Sequence, residues 1–179
     1  MSDIPEIQRV TVAYLELEDR IRLTGETKDG KIIGLWLTQR LMLRLLPHMF
    51  AWLEQQTPTI STTSPENSSQ ASTMIQSFAQ QEARQVLKKQ PSAPVPLTEK
   101  TSLLLVKTLD LTSRNGKLTI TFGLADGSKT RLRLSASQLR QWLTIVNRNW
   151  MKANWPRTPW PIWMEDKKSA SNQSNEAFH

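Results

Sequence analysis

The amino-acid sequence predicts an α+β fold: an internally duplicated β-β-β-α unit, two antiparallel three-stranded meanders each followed by a helix, with an amphipathic helix inserted between them. Three observations predict it. Residues 118–150 laid over 21–53, an offset of 97, repeat one plan of apolar strand, Asp-Gly turn, second strand and helix. Within that register Asp29-Gly30 falls on Asp126-Gly127, a dipeptide suited to the positive φ of a tight hairpin, and Thr38 falls on Ser135, each able to cap the helix that follows. The apolar positions agree as well, since Leu35, Leu37, Met42 and Leu46 match Leu132, Leu134, Leu139 and Leu143.

The first unit, 1–56, opens with the strand 9–17, which turns at Glu18-Asp19. Its helix, from residue 38 to about 54, carries Leu41, Met42, Leu43, Leu45, Leu46, Met49, Phe50 and Leu53 nearly all round and is expected to be largely buried. Pro47 lacks an N–H, which predicts a kink near Leu43 or a break. A Ser/Thr/Pro-rich linker follows, 57–100, with a helix near 71–89 marked by Ile75, Phe78, Ala79, Ala83, Val86 and Leu87 and closed by Lys88 and Lys89. That helix reads as docked on its own core or as free to meet a partner. The second unit, 101–153, has the strand 102–113, an Asn115-Gly116 turn and a helix from 135 to about 152. A Trp-Pro strap and a tail that reads as disordered make up 154–179.

A unit of some 50 residues buries little by itself, so the two are expected to pack on each other as a pseudo-symmetric pair of six antiparallel strands. Their faces differ. In the second unit Leu118, Ile120, Phe122, Leu132 and Leu134 point to the core, while Lys129, Arg131 and Arg133 point outward. The matching outward positions of the first unit are Ile32, Gly34 and Trp36, an apolar face that something must cover. The second helix sets Leu139, Trp142, Leu143, Val146 and Trp150 on one stripe and Arg140, Thr144, Arg148 and Lys152 on another. The net charge of +7 follows this division: residues 101–153 hold 9 Lys/Arg against 2 Asp/Glu, and the other segments nearly balance.

Composition narrows the chemistry. No cysteine is present, which removes disulfide frameworks, thiolate metal sites and cysteine nucleophiles. The six glycines form neither a phosphate loop nor a dinucleotide fingerprint. Glu16, Glu18 and Asp19 cluster in a turn, where carboxylates are ordinarily solvated, and His48 has no metal-spaced partner. No cofactor is expected, and an enzyme is the least supported class. The N-terminal residues lack a basic stretch followed by an apolar run, so cytoplasm is the expected location. The apolar segment from Ile32 to Leu53 contains Arg40 and Arg44, each costing about 2.5–3.5 kcal/mol in a bilayer, so membrane insertion is not expected.

The function expected is therefore that of a binding or assembly protein, a subunit or adaptor with a protein partner or a second copy of itself. Ile32 and Trp36, with Trp155, Trp160 and Trp163 of the strap, are the candidate partner-binding residues. The strap either folds back over Ile32 and Trp36 or inserts into the partner. The alternative is a nucleic-acid-associated protein contacting phosphates through Lys129, Arg131, Arg133, Arg140, Arg148 and Lys152.

Over its first 50 or so residues, Glu18, Asp19, Arg20, Ile21, Asp29, Gly30, Leu35, Trp36, Leu37, Thr38, Arg40 and Leu41 form a run that resembles small uncharacterised bacterial proteins built round an "EDRI-L...DG...LWLTRRL" pattern. Gln39 stands where the pattern has a basic residue. The resemblance implies a bacterial origin and a recurrent β-β-β-helix unit, and it carries across no activity and no site residues.

Overall fold

The computed structural model describes residues 3–58 and 64–166. The polar tail beyond Asp166, read from sequence as disordered, lies outside them, as does part of the linker. Six strands and three helices follow in the order β1 (Glu6–Leu15), β2 (Arg20–Thr27), β3 (Ile32–Leu37), α1 (Gln39–Gln55), α2 (Pro65–Lys89), β4 (Leu103–Arg114), β5 (Lys117–Leu124), β6 (Lys129–Ser135) and α3 (Ala136–Lys152).

The strands form one closed barrel in sequence order, which overturns the expected pair of separate all-antiparallel meanders. β1, β2 and β3 pair antiparallel, and so do β4, β5 and β6, but two parallel seams join the triplets into a mixed sheet with no separate halves. One seam pairs Gly34, Leu35 and Trp36 of β3 with Leu103, Leu104 and Leu105 of β4. The other pairs Glu6 and Ile7 of β1 with Arg131 and Leu132 of β6, extended by the Arg131 N–H donating to the Pro5 carbonyl at 2.9 Å. The physical reason is edge satisfaction. An isolated meander exposes two rows of unpaired backbone groups, and closure pairs part of each.

Local chemistry explains the turns. Asn115 and Gly116 both have positive φ, 51° and 68°, and close β4 onto β5 as a two-residue hairpin. Asp126 and Asp29 brace the equivalent turns through bonds from the Ser128 N–H (2.9 Å) and the Thr27 hydroxyl (2.6 Å). Thr38 caps α1 by accepting from the Leu41 N–H at 3.2 Å, and Ser135 with Gln138 forms a capping box on α3. Helix α1 runs unbroken through Pro47, which lies on its exposed side. Helix α2 begins at Pro65, well before the expected start, because Ser64 caps it and Pro65 occupies the first turn, where a missing N–H costs nothing.

The barrel is filled by Ile7, Val12, Ile21, Leu23, Leu35, Leu37, Val106, Leu118, Ile120, Phe122, Leu124, Leu132 and Leu134, all buried. The core continues into α1 through Met42, Leu46, Met49 and Leu53, and into α3 through Leu139, Leu143, Val146 and Trp150. Each seam is short because the strands part after two or three pairs, and a helix stands at each opening. At the β1 opening, Asn149 of α3 accepts from the Tyr14 N–H (2.9 Å) and donates to the Val12 carbonyl (3.4 Å). At the β4 opening, Trp52 of α1 donates to the Ser113 hydroxyl at 2.8 Å. No helix among the described residues is long and apolar enough to cross a membrane.

Replacing Asn149 by Leu keeps its volume but strands two sheltered backbone groups. Urea unfolding is expected to show a loss of about 1–3 kcal/mol. A change under about 0.5 kcal/mol means the pair contributes nothing.

Candidate functional site

The strap residues lie within the protein's own core. After Asn154, whose φ of 53° turns the chain, Trp155 stacks edge-on against Trp150 (4.8 Å) and Tyr14 (5.6 Å), and its N–H reaches the Asp19 carboxylate at 3.0 Å. Trp160 meets Phe50 and Trp150, each at 5.7 Å, and Trp163 meets Phe50 at 5.5 Å. The strap thus joins α1, α3 and the β1–β2 turn. Trp155 and Trp163 are buried and Trp160 half-buried. Ile32 and Trp36 are half-buried on β3, with no ring contact to this cluster among the described residues, and Leu103 lies against Gly34 between them, where an added Cβ would stand 2.3 Å from a Leu103 methyl. The seam, not the strap, covers that position. The candidate partner-binding residues are therefore split between two places.

The candidate anion contacts are dispersed too. The β6–β1 seam sets Glu6 beside Arg131 (2.9 Å) and Arg133 (3.7 Å), and Asp3 lies 3.8 Å from Arg131. Lys129, Arg148 and Lys152 are exposed, with no ion pair among the described residues. Arg140 is buried, 3% exposed. It donates to the Gln76 side-chain oxygen and lies 5.3 Å over the Trp163 ring. Burial pushes its guanidinium down to about 10, opposed by Glu54.

Arg140 belongs to the joint between α2 and α3. Gln80 donates to the Arg140 carbonyl (3.0 Å) and the Thr144 hydroxyl (2.9 Å), and the Arg84 guanidinium donates to the Met164 carbonyl. Burial also lowers the pKa of Arg84, with Arg148 adding to the effect and Asp166 opposing it. The buried residues of α2 are Gln76, Gln80 and Ala83. Ile75, Ala79, Val86 and Leu87 are half-buried, whereas Met74 is 62% and Phe78 66% exposed, beside Ile162 at 69%. With Trp163 they line a groove of about 600 Å³ between α2 and the Ile162–Met164 turn. Sequence reasoning missed Met74 and Ile162 and placed Phe78 on the inward face. Periodicity carries no sign that Phe78 turns outward, because the glutamines that turn inward read as surface residues.

A second groove, of about 1090 Å³, runs between α1 and β4. Leu41, Leu45 and Trp52 line it from the helix, Leu109, Leu111 and Leu118 from the barrel, and Arg44, His48, Lys107 and Asp110 also face it. Among the described residues no cluster of three or more histidines, cysteines and carboxylates could hold a metal. Glu16, Glu18 and Asp19 are exposed at a turn, Asp19 being engaged with Tyr14 (2.9 Å) and Trp155. No protein-family model, curated protein or solved structure matches the chain.

Two outcomes test these packings. Trp155→Ala is expected to cost about 3–5 kcal/mol in urea unfolding, the range for deleting a buried indole. Arg140→Leu strands the Gln76 side chain and is expected to lose about 1–3 kcal/mol, whereas Gln76→Leu with Arg140→Leu removes both polar partners and should recover most of that loss.

Proposed function

We propose that this chain is a non-enzymatic, cytoplasmic assembly subunit or adaptor that works through surfaces, and that its α2 face meets a second copy of the chain. One observation carries the reading: α2 is docked by its glutamines and keeps Met74 and Phe78 in solvent beside Ile162. An exposed apolar cluster over a groove is costly to maintain without a partner.

The face is self-complementary in the antiparallel sense, which favours a two-fold pair. Turned about Ser77, α2 brings Glu66 of one copy opposite Lys88 of the other and Gln70 opposite Arg84. The small side chains of Ser69, Thr73 and Ser77 along the groove leave room for a second helix. At about 1.5 Å per residue the helix offers a contact some 37 Å long. The strap contributes indirectly: by anchoring Trp163 under α2 it places Ile162 at the groove wall. The nucleic-acid alternative has less support, because Arg131 and Arg133 answer Glu6 and Arg140 is buried, leaving Lys129, Arg148 and Lys152.

Sedimentation velocity on the full chain is the test. A concentration-dependent dimer is expected, abolished by Phe78→Glu, weakened by Lys88→Glu and restored when Glu66→Lys is added. A chain monomeric up to millimolar concentration, or a dimer indifferent to Phe78→Glu, overturns the reading.

A further inference from the structure

Helices α1 and α3 each follow an antiparallel strand triplet, yet they treat the neighbouring strand edge differently. On the α3 side Asn149 satisfies the Tyr14 N–H and the Val12 carbonyl. The offset of 97 residues carries Asn149 onto Trp52, Tyr14 onto Leu111 and Val12 onto Leu109. An indole has one donor and no acceptor, and that of Trp52 is engaged by Ser113. Nothing on α1 does for β4 what Asn149 does for β1.

The register agrees with this comparison. The two-residue turn makes Arg114 and Lys117 the closing hydrogen-bonded pair, so alternation turns the N–H and C=O of Leu109, Leu111 and Ser113 away from β5. β3 reaches only Leu105. Among the described residues, no protein group bonds the Leu109 carbonyl or the Leu111 N–H on that side. Both residues are half-buried in the groove between α1 and β4.

We infer that this groove takes an extended, acidic, alternately apolar segment of a partner protein, added as a further strand on the outer edge of β4. The edge supplies the main-chain ladder from Leu109 to Ser113, and Leu41, Leu45 and Leu118 receive every second side chain. Helix α1 walls the groove on its far side, which suits one strand better than a sheet. The charge around it selects the sign: Arg44 and Lys107 face one carboxylate, Asp110. A second copy of this chain is a poor occupant, because its β4 brings its own α1 and repeats the same cations. The site is distinct from the α2 face, so the two proposals stand or fall separately.

The test uses the full chain and a panel of fluorescein-labelled peptides alternating glutamate or aspartate with valine, isoleucine or leucine. Anisotropy is expected to show saturable binding that weakens with salt. Methylation of alternate peptide nitrogens should abolish it, while Arg44→Glu or the groove-filling Ala51→Trp should weaken it roughly tenfold or more. Phe78→Glu should leave it unchanged. Hydrogen exchange should show the Leu109 and Leu111 amides fast in the free chain and protected in the complex. Failure of the whole panel at millimolar concentration overturns the proposal. So does equal binding of methylated or lysine-for-acid peptides, protection of those amides in the free chain, or their protection by a single-stranded oligonucleotide instead.

Discussion

A strand edge in a small sheet carries backbone donors and acceptors that must find partners, and the rest of this structure depends on how its edges are closed. Six strands are joined by two antiparallel triplets and two parallel seams of two and three paired positions. Neither seam runs the length of its strands. A helix stands where the strands part at each seam, which ties α1 and α3 to the barrel, each entered through a side-chain cap at Thr38 or Ser135.

The two openings beside the seams are covered differently. The α3 side is sealed by Asn149, and its helix is pinned further by Trp150, whose indole donates to the Pro156 carbonyl at 2.9 Å and anchors the strap. The α1 side keeps an open edge beside an apolar floor. Aromatic edge contacts of this kind contribute about 0.5–1.5 kcal/mol each beyond burial. The linked set of Tyr14, Phe50, Trp150, Trp155, Trp160 and Trp163 therefore makes the strap a structural clasp.

The joint between α2 and α3 follows a different rule. It is polar, with Arg140, Gln76, Gln80 and Thr144 bonded across it, and the buried Gln80 side-chain oxygen has no partner among the described residues. Buried polar contacts of this kind add little net stability but dictate which face of a helix turns inward. That orientation leaves Met74 and Phe78 outside, on an element the sequence presents as an ordinary amphipathic helix.

The turns at Asn115-Gly116 and Asp126-Gly127, the caps at Thr38 and Ser135 and the alternating core positions of β5 and β6 were legible because each depends on residues within a few positions of one another. The repeated local pattern was read as two separate meanders, which the single closed barrel overturns. What the sequence could not determine is which strand edges meet, since a parallel seam joins residues such as Glu6 and Arg131 that are 125 positions apart and share no local signal. The seam neutralises part of a face that reads as basic, the clasp settles on α1, α3 and the β1–β2 turn, and the inward glutamines of α2 leave Phe78 outside. Local physics therefore determined the turns, the caps and the strands they join. Edge closure and helix docking, which depend on long-range backbone and side-chain partners, decided the barrel and both of its grooves.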